Sequence, residues 1–184
     1  MGQRGEAAAQ GRPNKLLLAG RFHSVHQLIK RKKFAQALRE LLSSKAGKLA
    51  DHFADEPNHA WYLVGDIHWK QNKFSLAASA FKRSIAADSS DAEAFLALGN
   101  CYSDLGRHRK ALKAYSQGLL AAPRNAKLRF NLGNAYFDLG QYEQAVTIYR
   151  SVRRSKDDTV RERAAINLKL ALAKLAVGSS NGTN

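Results

Sequence analysis

Residues 92–125 read AEAFLALGNCYSDLGRHRKALKAYSQGLLAAPRN, and residues 126–159 read AKLRFNLGNAYFDLGQYEQAVTIYRSVRRSKDDT. Placed under one another, with residues 58–91 above them, the three segments align without a gap at a period of 34 residues. Gly65, Gly99 and Gly133 share a column, as do His68, Tyr102 and Tyr136. Ala77, Ala111 and Ala145 fill a third, and Phe81, Tyr115 and Tyr149 a fourth. A fixed period of this length marks stacked supersecondary units. Such arrays offer extended concave surfaces for binding far more often than catalytic clefts.

Each unit carries two amphipathic helical patterns. In residues 92–125 the first is Phe95, Leu98, Gly99, Tyr102 and Leu105, and the second is Ala111, Leu112, Tyr115, Gly118 and Leu119. Both sets fall on one face at 3.6 residues per turn. Between them lies Gly106, matched by Gly140 and Asn72. Gly and Asn are the residues that close a helix in the left-handed conformation. Ser90-x-x-Glu93 and Thr159-x-x-Glu162 fit the capping-box pattern at first-helix starts. Pro123 follows a second helix, where it breaks no hydrogen-bond ladder.

The chain resembles the tetratricopeptide repeat family through Trp61-x2-Val-Gly65-x2-His68 with Ala77-x3-Phe81, Phe95-x2-Leu-Gly99-x2-Tyr102 with Ala111-x3-Tyr115, and Arg129-x2-Leu-Gly133-x2-Tyr136 with Ala145-x3-Tyr149. It departs at Ser89 and Asp157, where the family often has Pro, and at Arg129, where it has a large apolar residue. The resemblance implies an all-α, right-handed α-solenoid of helix-turn-helix repeats with a C-terminal capping helix. The glycine is expected where paired helices approach most closely, and the aromatic of the second helix in the gap between units. Burying each such ring should contribute about 2 kcal/mol.

The repeats are expected at 58–91, 92–125 and 126–159. Upstream, Lys33-Phe34-x-x-Ala37-x3-Leu41 echoes Lys73-Phe74-x-x-Ala77-x3-Phe81, so residues 18–57 are expected to hold a degenerate helical hairpin. Residues 1–17 are expected to form a mobile basic arm, 160–178 a capping helix ended by Gly178, and 179–184 a polar tail. In the capping helix, Ala164, Leu168, Ala171, Leu172 and Leu175 form one apolar stripe that covers the last repeat. Ile166, Leu170, Ala173 and Val177 form a second, open either to another molecule or to solvent as ordinary apolar surface.

Net charge is +15, spread unevenly: residues 1–57 hold 11 basic and 5 acidic groups, and the later repeats and the C-terminal segment are basic too. Such a field favours acidic surfaces, nucleic acid or anionic lipid. The densest run is Lys30, Arg31, Lys32 and Lys33, read either as a solvated turn or as an anionic-surface contact. No apolar run is long enough for a membrane span, and no secretory signal is evident. The single cysteine, Cys101, excludes an internal disulfide and fits the cytoplasm or another reducing compartment.

In the family the first helices line the concave groove. The groove-facing positions here include Tyr62, Asp66 and Trp69, then Asn100, then Lys127, Phe130, Asn131, Asn134 and Phe137, with Arg161 opening the last helix. Aromatic anchors beside polar positioning groups are what binding hot spots look like. Asparagine offers donor and acceptor together, as an extended peptide backbone requires. The family's clamp for chaperone-tail carboxylates is matched at Asn100, Asn131 and Arg161, but Leu96 and Ala165 stand at its two other basic positions. Catalysis finds little support: P-loop, nucleophile-elbow and HExxH motifs are absent, and His23-x-x-His26 lacks a third ligand. No cofactor or metal is expected. The function expected is a non-enzymatic adaptor that holds an extended or helical partner segment; the alternative is a basic component of a nucleic-acid assembly.

Overall fold

The computed structural model describes residues 20–43 and 47–180; these form helices joined by turns and short loops, with one isolated bridge between Leu42 and Leu49. The expected arm at 1–17 and the last residues of the expected tail lie outside the described residues. Two compact units divide at Phe53/Ala54.

The first unit holds α1 (His23–Lys30) and α2 (Phe34–Leu41), followed by a short 3-10 turn, Asp51–Phe53. Val25, Ala37, Leu41 and Phe53 are fully buried, and Phe22 stacks on Phe53 at 4.7 Å. Ala37 and Leu41 thus behave as the repeat pattern predicts, although both helices have only 8 residues.

The second unit holds α3 (Pro57–Lys70), α4 (Phe74–Ala87), α5 (Ala92–Asp104), α6 (His108–Ala121), α7 (Ala126–Asp138), α8 (Tyr142–Val152) and α9 (Asp158–Ser180). Consecutive helices pack as antiparallel pairs, and α3, α5, α7 and α9 also touch one another in succession. Direct contact between first helices brings them to the inner side of the stack, with α4, α6 and α8 outside.

The turns form as their sequence predicts. Asn72, Gly106 and Gly140 have φ of 58°, 67° and 73°. The following amides donate back five residues, Lys73 to His68 O, Arg107 to Tyr102 O and Gln141 to Tyr136 O, at 2.8–2.9 Å. This is the left-handed helix closure for which glycine and asparagine carry the least strain. Lys32 in the first unit does the same, with φ 57° and a 2.8 Å bond from Lys33 N to Leu28 O. The basic run therefore occupies the turn position of a repeat.

Helix starts differ from the expected capping boxes. Asp91, not Ser90, caps α5 by accepting from Glu93 N and Ala94 N at 3.0 and 3.1 Å. Asp157, not Thr159, accepts from Val160 N at 3.1 Å. A carboxylate one or two residues upstream reaches the orphan amides and also meets the positive end of the helix. Gly178 does not end α9, which runs on to Ser180.

The aromatic column packs against the glycine column of its own repeat, and Phe81 also borders the next repeat at Ala97 and Asn100. A Cβ built on Gly65 would lie 2.6 Å from the Phe81 ring, one on Gly133 would lie 2.6 Å from Tyr149, and one on Gly99 would overlap Tyr115. One edge of each ring, Cδ1 to Cζ, lies against a glycine of the paired helix. Ala77, Ala111 and Ala145 are fully buried beside it.

Candidate functional site

The inner wall of the second unit carries a continuous polar ladder. The Tyr115 hydroxyl donates to Asn100 Oδ1 at 2.9 Å, and Asn131 Nδ2 donates to the same oxygen at 3.2 Å. One repeat on, the Tyr149 hydroxyl and Asn167 Nδ2 donate to Asn134 Oδ1 at 2.8 and 2.9 Å. Asn131 and Asn134 approach each other at 3.5 Å. The ladder thus joins α5, α7 and α9. It consumes the carbonyl oxygens of Asn100 and Asn134, and leaves Nδ2 of Asn100 without a partner among the described residues. All four asparagines are partly exposed.

At the α3 end the wall opens into a pocket of about 140 Å³ lined by Tyr62, Asp66, Trp69, Phe81, Ala97 and Asn100. Phe81 forms its base, with Tyr62 edge-on at 5.3 Å. Trp69 is 41% exposed, and its indole is fixed by donation from Nε1 to Asp104 Oδ2 at 2.8 Å across the repeat boundary. Asp66 pairs with Lys70. Burial, then the carboxylates of Asp66, Glu93 and Asp91, raises the Tyr62 phenol above its ordinary value. The pocket therefore has an aromatic wall and an acidic rim.

The sequence matches the model of the tetratricopeptide repeat protein 21 C-terminal ARM domain over residues 6–169. The chain belongs to this family. Solved structures similar to this ARM-domain chain are tetratricopeptide repeat proteins. PcrH in complex with the chaperone binding region of PopD is 25% identical, with a TM-score of 0.62 over 66% of this chain and 95% of that one. The first such domain of Spaghetti (RPAP3), bound to an HSP90 peptide, is 19% identical, with a TM-score of 0.62 over 69% and 99%. The Arabidopsis OM64 domain is 16% identical, with a TM-score of 0.58 over 62% and 95%. No curated protein matches the sequence.

Four of the expected groove residues of this ARM-domain chain, Tyr62, Asp66, Trp69 and Asn100, meet at the pocket, and Asn131 and Asn134 continue from it. Phe130 does not belong with them. It is 4% exposed, with Tyr149 6.1 Å away and the Arg163 guanidinium over its ring at 5.0 Å. Two repeats earlier in the same column, Tyr62 also meets the ring of its paired helix, Phe81, but stays half-exposed at the pocket. Phe137 is half-buried, edge-on to Tyr142 at 5.2 Å. Lys127 is exposed but joins neither pocket nor ladder. Arg161 is occupied locally, by Asp158 at 2.7 Å and by Ser155 O at 3.2 Å. At the other clamp positions, Leu96 is buried.

Asn167 is the ladder member the repeat columns do not single out, because α9 follows a different register. Its signal was an amide at i+33 from Asn134. Lys30, Arg31, Lys32 and Lys33 are all exposed. On α9, Ala164 and Ala171 are fully buried against the last repeat, whereas Ile166, Leu170, Ala173 and Val177 are exposed. Leu172 is 40% exposed, so it leaves the covering stripe to which its spacing assigned it. Among the described residues no helix is long and apolar enough to cross a membrane, and no His, Cys, Asp and Glu cluster could hold a metal.

Proposed function

We propose that this chain is a non-enzymatic adaptor that holds an extended or helical segment of a partner protein along the inner wall of its second unit. The observation that carries this reading is the continuity of the Trp69 pocket with the asparagine ladder: an aromatic-walled seat leads through Asn100 into a row of amides. The tyrosines fix the amides in one orientation before any partner arrives, which lowers the ordering cost of binding. The aromatic wall and acidic rim suit a side chain with an apolar body and a donor at its tip. PcrH and RPAP3, which share the fold, were each solved with a peptide segment of a partner. A single short segment would bind at about micromolar strength, on the order of −8 kcal/mol.

The exposed Lys30–Lys33 turn serves, in this reading, as an electrostatic dock for an acidic surface of the assembly. The test is affinity capture with Trp69→Ala combined with Asn131→Ala. Loss of the partner with the protein still folding cooperatively and Tm lowered by only a few degrees is expected, and undiminished capture would refute the groove assignment. Salt separates the nucleic-acid alternative: groove binding should change little between low and moderate salt, while binding through phosphates should fall steeply.

A further inference from the structure

Arg129 stands in the column that Trp61 and Phe95 fill in the preceding repeats. Its guanidinium leaves the core and donates through Nη2 to Pro123 O. In place of an aromatic body there is a cavity of about 500 Å³ between the start of α7 and the loop that joins α8 to α9. Arg124, Arg129, Arg154 and Lys156 line it. The sole carboxylate in its lining, Asp157, is engaged in capping α9 through Val160 N at 3.1 Å. Arg124, Arg154 and Lys156 have no acidic partner among the described residues.

The loop that presents two of these cations is pinned from several sides. Ser155 N donates to Val152 O at 2.8 Å, Asp157 N donates to Ser155 Oγ at 3.1 Å, and Arg161 holds Ser155 O at 3.2 Å. Arg154 and Lys156 therefore flank a fixed residue. Four cations gathered around a single carboxylate leave the cavity net positive, and a multiply charged oxyanion relieves the repulsion among them. Arginine forks match the geometry of phosphate oxygens.

We infer that this cavity is a binding site for a phosphorylated side chain of a partner polypeptide. The cations converge on one cavity instead of tracking a line, as a nucleic-acid backbone would need. The partly exposed Ala126 and the buried Val152 supply apolar lining for the stem that carries the phosphate. That the carrier is a polypeptide rests on the adaptor reading; the anion site itself does not use the groove.

The test is a titration of the isotope-labelled full chain followed by amide NMR. The probes are inorganic phosphate, a short Gly/Ser peptide with one phosphoserine, its unphosphorylated twin, and a short oligothymidylate. The phosphopeptide should give saturable shifts confined to residues 124–129 and 151–157, and the twin none. Arg154→Gln with Lys156→Gln, both exposed, should weaken it by at least about tenfold. Lys82→Gln with Lys110→Gln removes equal charge elsewhere in the same unit and should leave it within about twofold. Trp69→Ala with Asn131→Ala should leave it unchanged, which separates failure of this site from failure of the groove. Equal weakening by the two charge variants would reduce the site to a general positive field. Inorganic phosphate binding as tightly as the phosphopeptide would assign a free anion, and tighter, dispersed binding of the oligothymidylate would assign nucleic acid. Each of these overturns the inference.

Discussion

The Tyr115 hydroxyl donates to Asn100 Oδ1 at 2.9 Å while its ring covers Gly99, the residue beside that asparagine. Tyr149, Asn134 and Gly133 repeat the arrangement at 2.8 Å. In the first repeat the aromatic is Phe81, which has no hydroxyl, and the asparagine position is Asp66, which pairs with Lys70 instead. One pair of columns thus couples the core of each repeat to the polar wall of the groove. Tyr115→Phe should cost about 1 kcal/mol. Asn100→Asp should cost more, because it sets a second carboxylate one turn from Asp104. A double-mutant cycle by denaturant unfolding should show coupling of about 1 kcal/mol between positions 100 and 115; strict additivity would show that the bond does not contribute.

The glycine under each ring leaves no room for a methyl group. Gly133→Ala should lower stability by about 1–3 kcal/mol through overpacking, read as a fall in Tm. Gly106→Ala meets nothing within 4 Å, and its cost comes from the φ of +67° alone. It should be about 1 kcal/mol. If Gly133→Ala cost no more than Gly106→Ala, the ring would not be seated as described.

Phe130 and Trp69 should separate stability from binding. Phe130→Ala empties a buried site between Tyr149 and Arg163 and should cost about 3–5 kcal/mol. Trp69→Ala, at a 41% exposed position, should leave Tm within a few degrees and abolish partner capture. The opposite pattern would exchange their roles.

Stability should decline at both ends of the pH range. Burial, then Asp104, pushes the Cys101 thiol from its ordinary 9.0 to about 12. Burial likewise raises Tyr149 from 10.0 to about 12. Both groups favour the folded state while protonated, so their contribution is complete below pH 9.0 and is lost as pH rises towards 12. The native thiol should accordingly resist alkylation at pH 8 and react only on unfolding. His68 moves the other way: burial, then Lys73, lowers its pKa below the ordinary 6.5, and its buried Nδ1 has no hydrogen-bond partner among the described residues. The folded state binds its proton less readily than the unfolded one, so stability is lost as pH falls below 6.5. His68→Tyr, which installs the residue of Tyr102 and Tyr136, should flatten the acid limb of a Tm–pH curve.

The repeat columns made the fold legible because backbone sterics and packing recur every 34 residues. Gly99 needs its neighbour's ring, Gly106 needs its positive φ, and both requirements show as identity in a column. Tyr62, Trp69 and Asn100 were legible for the same reason, since helical spacing opposite the packed face sends them to the inner wall. Phe130 was not: an aromatic on the edge of that face can turn either way, and here it lies between Tyr149 of α8 and Arg163 of α9. The cap residues were misplaced by one or two positions because Asp91 competes with Ser90, and Asp157 with Thr159, for the same amides. Asn167 escaped because it meets Asn134 at a spacing of 33 residues, one short of the period that defines the columns.

The central claim, that a partner lies along the inner wall, is tested most directly by site-specific photocrosslinking. Benzoylphenylalanine replaces Trp69 on the inner wall or Leu120, which is 79% exposed on the outer helix α6. Crosslinking from position 69 should yield a discrete adduct mapping to one segment of one partner, with no such adduct from position 120. The same adduct from position 120, or none from position 69 in a sample that still captures the partner, would contradict the account.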